Sequence, residues 1–153
     1  MLKWRAFFRC MSAKLKDTFI LTSNFTCIAR FCLAIFFYFC NMVIFTESFD
    51  KKILLELQTH YFGDMVKGVV DIVERKIALD AEMHADLETL LLQEGSLQKN
   101  LWGFNLYPEM DGDDFIEFDS LINIRPNQGN RSRDVEDPAI REQIIEIINS
   151  LCK

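Results

Sequence analysis

Glycine and proline are missing from the first 41 residues of this chain: all six glycines and all three prolines lie after Met42. These residues supply the turns and caps of a folded chain. Their absence marks the opening stretch as one long helix or as sequence never selected to fold. Acidic residues are nearly absent there too. Up to Asn41 there are six Lys or Arg and one acid, a balance of +5; from Met42 onward eleven basic residues face twenty-two acidic ones, a balance of −11. The whole-chain value of −6 averages two unlike pieces, residues 1–41 and residues 42–153.

Signatures of well-known chemistry are lacking as well. The chain has no P-loop, GxGxxG, GxSxG, HExxH or CxxC, which removes the sequence grounds for a nucleotide fold, a nucleophile elbow, a zinc protease or a paired-cysteine site. Four of the five cysteines (Cys10, Cys27, Cys32, Cys40) sit in the apolar leader without metal-type spacing and read as small apolar residues rather than a disulfide framework. Cys152 has no sequence neighbour that would activate it. A piece at −11 repels phosphate backbones, so nucleic acid is not an expected partner.

What the leader does contain is an uncharged run, FCLAIFFYFCNMVIF, from Phe31 to Phe45, preceded by Lys3, Arg5, Arg9, Lys14 and Lys16. Extended back to Phe25, the run reaches 21 residues with one charge, Arg30, against the roughly 20 apolar residues that span a bilayer. The positive-inside rule would keep its N-terminus in the cytoplasm as a single-pass anchor. The competing reading is that translation starts at Met42. The leader is then a non-native upstream extension and the protein is cytoplasmic. A membrane is an expected partner only on the first reading.

From Met42 the sequence reads as a single α+β domain. MVIFTESFDKKILLEL opens with a short strand; Ser48 or Asp50 then caps a helix whose stripe is Ile53, Leu54, Leu57 and Tyr61, ending at Gly63. MVKGVVDIV and KIALDAEM form a hairpin turning at Glu74–Arg75. Leu87 to Gln93 fits either a helix stopping at Gly95 or a strand leading through a turn into LWGFNLYP, and the short flanks favour the strand. DFIEFDSLINIRP alternates Ile116, Phe118, Ser120, Ile122 and Ile124 against Glu117, Asp119, Leu121, Asn123 and Arg125. It predicts one long strand, with the first set buried. Asp137–Pro138 opens a final helix with Ile140, Ile144, Ile147, Ile148 and Leu151 inside. The expected architecture is a mainly antiparallel sheet of about five strands, with an N-terminal and a C-terminal helix packed on one face.

The blocks HADLETLLLQEGSLQKNLWGFNLYP and IEFDSLINIRPNQGNRSRDVEDPAIREQI resemble an uncharacterised prokaryotic family, the domain of unknown function DUF5674, from about Met42 to Lys153. The resemblance implies a shared fold and brings no activity, substrate or catalytic residue with it.

Three groups carry candidate chemistry. His84, Asp86 and Glu88 form H-x-D-x-E, candidate catalytic residues or ligands for a divalent metal, with a solvated hydrogen-bonded cluster as the plainer reading. Glu117, Asp119, Asn123 and Arg125 line the polar side of the long strand, and Asn105 would adjoin them if LWGFNLYP pairs with it. Asn127, Asn130, Arg131 and Arg133 precede a helix N-terminus, where anions are favoured; Asp134, Glu136 and Asp137 offer an internal salt-bridge network instead. His60, late in the first helix, reads as a residue placed at that helix's negative end. The functional expectations are a small binding or interaction module, self-associating as a homo-oligomer; a metal-assisted hydrolase or anion-binding enzyme using His84, Glu88, Arg131 and Arg133; and a membrane-tethered accessory protein.

Overall fold

Five antiparallel strands lie in the order β1-β3-β2-β4-β5 in the computed structural model, which describes residues 42–153. They are β1 (Val43–Phe45), β2 (Val66–Asp71), β3 (Lys76–Leu79), β4 (Leu101–Leu106) and β5 (Ile116–Glu117). Three helices complete the domain: α1 (Lys52–Tyr61), α2 (His84–Gln93) and α3 (Pro138–Leu151). The leader, with its membrane-anchor and upstream-extension readings, lies outside the described residues. Among the described residues no helix is long and apolar enough to cross a membrane.

Local chemistry sets most of the boundaries. Asp50 Oδ1 accepts from the Lys52 amide at 2.9 Å just ahead of α1, while Lys51, not Ser48 or Asp50, holds the cap position of that helix. Gly63, at φ +87°, takes the left-handed turn that ends it. In the hairpin, buried Asp71 accepts from the amides of Val73 and Glu74 at 3.0 Å, folding the turn to Lys76. Asp137 accepts from the Ala139 amide at 2.9 Å ahead of Pro138 and begins α3.

The period of two then divides the core. Val66, Val70, Ile77, Leu79, Trp102, Phe104 and Leu106 face α1 and α3, which contribute Leu54, Leu57, Ile144, Ile147, Ile148 and Leu151. Gly68 sits among them because a Cβ there would meet the Phe104 ring at 2.4 Å. Val69, Ala78 and Leu101 face the opposite way and pack on Leu87 and Leu91 of α2. Burying each of those leucines is worth about 2 kcal/mol.

Two expectations are overturned. Leu87 to Gln93 is helical and belongs to α2, so helices cover both faces of the sheet instead of one. Leu, Ala, Glu and Gln favour helix, and the segment's one β-branched residue, Thr89, is exposed. The long strand also fails. Only Ile116–Glu117 pairs, and a 3₁₀ turn at Leu121–Asn123 reverses the alternation. Asn123 is wholly buried, while Leu121 and Ile124 are 70% and 42% exposed.

Candidate functional site

At the end of the sheet where β4 finishes and β2 and β5 begin, the register sets three polar residues in a row. Lys67 pairs with Asn105, and Asn105 pairs with Glu117. All three share the face that α2 covers, because Val69 and Leu101 of the same parity pack under it. Asn105 is 4% exposed. Its Nδ2 donates to Glu117 Oε2 at 2.8 Å, and the Tyr107 hydroxyl donates to that same oxygen at 3.0 Å. Asn105 also interacts through its carboxamide with the side chain of His84.

His84, the first residue of α2, comes to this row from above. Its Nε2 lies 3.0 Å from the Phe104 carbonyl, fixing the start of α2 to β4 and placing the ring beside the Asn105 carboxamide. Burial depresses the imidazole's pKa, and the nearby Lys67 charge adds to that; Phe104, Asn105 and Asp119 oppose it. Tyr107 reports the local field. Its pKa is pushed up to about 12, first by loss of water and then by Glu117, Asp64 and Asp119. Asp119 is itself paired with Arg133 at 2.6 Å, and Lys67 Nζ lies 4.3 Å over the Phe62 ring.

The remaining candidates go elsewhere. Glu88 accepts from Arg125 at 3.2 Å and from Gln98 at 3.3 Å, away from His84's partner. Among the described residues no cluster of three His, Cys, Asp or Glu is placed to hold a metal ion. Asp86, in the first turn of α2, is half-buried and does not join such a cluster. Arg125 also donates to the carbonyls of Ile122 and Gln98, so its guanidinium is taken up in holding turns together.

The 126–133 loop is organised from within. Asn130 Nδ2 donates to the carbonyls of Asn123, Ser132 and Asp134, and its Oδ1 accepts from the Glu136 amide at 2.7 Å. Glu136 in turn accepts from the Arg131 amide at 3.0 Å. Asn127 and Arg131 are exposed, and Arg133 reaches the polar row through Asp119. The internal network of acids and arginines is thus the arrangement present.

Sequence context alone flags neither Lys67 nor Tyr107, since only the register brings them beside Asn105 and Glu117. His60 is a second departure. Its Nδ1 lies 2.9 Å from both oxygens of Asp80, whose pKa burial raises and whose backbone stands at φ +75°. A histidine placed merely at a helix terminus has no such partner. On the α3 side a cleft of about 510 Å³ is lined by Lys51, Asp111, Phe115, Phe118, Arg141 and Cys152. Both cations in it are engaged, Lys51 with Asp111 at 2.8 Å and Arg141 with Asp134 at 3.0 Å.

No curated protein and no solved structure matches the chain significantly. Residues 43–151 match the family model described as a protein of unknown function, DUF5674. The match spans all five strands and all three helices, and with them Lys67, His84, Asn105, Tyr107 and Glu117. On that match the chain belongs to the DUF5674 family of proteins of unknown function.

Proposed function

We propose that this protein is a small binding module whose site is the polar row of Lys67, Asn105 and Glu117 with His84 and Tyr107. The observation that carries the reading is the gathering of polar and titratable groups at one end of the sheet, where Asn105 and Tyr107 both donate to Glu117 Oε2 beside the buried His84 ring. A metal-assisted hydrolase has less support, because Phe104 engages His84 and Arg125 engages Glu88.

The test is an unbiased screen of small polar molecules against the full chain, read by ¹⁵N NMR. Binders should shift the resonances of Lys67, His84, Asn105, Tyr107 and Glu117 together. Binders that map to the cleft of Phe115, Phe118 and Arg141, or a screen with no binders, would sink the proposal.

A further inference from the structure

Away from the polar row, we infer that His60 is a site of covalent modification, its Nε2 placed by Asp80 to take a phosphoryl group from a small phosphoryl donor.

The two histidines of the chain stand in opposite settings. His84 is buried, with Nε2 against the Phe104 carbonyl and the Asn105 side chain on the ring as well. His60, in the last turn of α1, turns Nδ1 to the Asp80 carboxylate, both oxygens of which lie 2.9 Å away. The Asp80 side chain is 2% exposed and that of His60 41%. The part of the ring that reaches water is therefore the part away from Asp80, and it carries Nε2. A carboxylate only accepts, so Nδ1 holds the ring's hydrogen and Nε2 keeps its lone pair. A positioned imidazole lone pair is a nucleophile.

Asp80 is a costly way to fasten a helix end. Its backbone takes the left-handed region at φ +75°, and its charge is buried against a half-exposed ring. Leu54 and Leu57 already fix α1 in the core. Burial raises the carboxyl's pKa, the sign of an anion short of solvation. A group bonded at Nε2 supplies what is missing. With Nδ1–H retained, the substituted ring is a cation directly against the Asp80 oxygens.

With phosphoramidate as donor, the Nε2 lone pair forms the new N–P bond while the donor's own P–N bond breaks. Ammonia leaves with that electron pair, so the donor's ammonium charge passes to the ring and the phosphoryl oxygens keep theirs. Phosphoryl transfer asks for a placed nucleophile and positive charge near the moving group. At this end of α1 the charge is Lys67, whose Nζ lies 4.3 Å over the ring of Phe62, the residue that caps the helix.

Incubating the full chain with potassium phosphoramidate in mildly alkaline buffer tests this, read by intact mass and by ³¹P NMR. One acid-labile phosphoryl group should appear on His60, attached at Nε2. It should form at least about tenfold faster than on Nα-acetyl-histidine methylamide. His60→Gln should lose the group. Asp80→Asn, which keeps an acceptor but not the charge, should slow the reaction by about tenfold, and circular dichroism will report whether that variant is folded. Attachment at Nδ1, a rate no higher than that of the free compound, or equal labelling of His84 would each overturn the inference. So would a folded Asp80→Asn variant reacting at the wild-type rate. Should that variant not fold, the attachment site and the comparison with the free compound decide alone.

Discussion

Asn123 pairs with Gly103 as a neighbouring strand would. Its Oδ1 accepts from the Gly103 amide at 2.8 Å, and its Nδ2 donates to the Gly103 carbonyl at 2.9 Å. A single side chain thus completes the edge of β4 beyond the point where β5 stops. The close approach needs glycine, since a Cβ at position 103 would meet Ser120 Oγ at 2.5 Å.

The first prediction concerns that pairing. Asn123→Leu removes the partner of the Gly103 amide and of the carbonyls of Gly103 and Arg133. Each buried group left unpaired costs about 1–3 kcal/mol, so urea unfolding should show a loss of about 2–5 kcal/mol. Asn123→Asp should be no milder, because it sets a carboxylate oxygen against two carbonyls. A leucine variant unfolding at the wild-type midpoint would mean that the side chain does not hold the edge.

The same residue explains what the sequence conveys and what it hides. The hairpin, both terminal helices and β4 are legible because each has local signals: Asp71 and Asp137 as acceptors, Gly63 as a terminator, and Trp102, Phe104 and Leu106 at every second position. The alternation from Ile116 to Ile124 is equally regular, yet it is not a strand. Asn123 and Asn130 satisfy backbone groups 20 and 4–7 residues away, and no periodicity encodes such bonds. Leu87 and Leu91 lie four apart and are compatible with a buried helix, but a short apolar run carries both readings until a second sheet face needs covering. Of the candidate site, Glu117 and Asp119 could be read from their strand pattern, whereas Lys67 joins them only through register.

His84 should make the fold sensitive to mild acid. Its folded-state pKa lies below the ordinary value near 6.5, so the unfolded chain binds the proton more readily. The contribution is fully present above about pH 6.5 and is lost as pH falls from there through the depressed folded value. His84→Gln keeps a donor for the Phe104 carbonyl and does not titrate. Unfolding free energies measured from pH 8 to pH 5 should fall more steeply for the wild type than for this variant. Parallel curves would contradict the assignment.

Tyr107 offers a direct reading of the site's charge. Its phenol should titrate near pH 12, well above the tyrosine value of 10.0. Glu117→Gln removes the carboxylate that holds and repels the phenol's charge. It should lower the titration only part of the way, because loss of water is the larger cause. Ultraviolet difference titration in a background where Tyr38 and Tyr61 are phenylalanine isolates the signal. A Tyr107 titration unchanged by Glu117→Gln would show that the carboxylate does not govern this end of the sheet.

Asp80 is a non-glycine residue at φ +75°, buried to 2% exposure, with both oxygens 2.9 Å from His60 Nδ1. Two substitutions separate its backbone from its side chain. Asp80→Gly and Asp80→Ala both remove the His60 contact, but only glycine is unstrained in the left-handed region. The glycine variant should be the more stable of the two by about 1 kcal/mol, reversing their usual order in regular structure. Asp80→Asn tests the charge instead, since asparagine tolerates the same backbone. Burial raises the Asp80 carboxyl above 3.8, so ionising it costs the fold stability as pH rises from there through the raised value. Relative to the wild type, the asparagine variant should therefore gain stability over that window. An asparagine variant that instead loses ground as pH rises would show that the bond to His60 outweighs the cost of burying the charge.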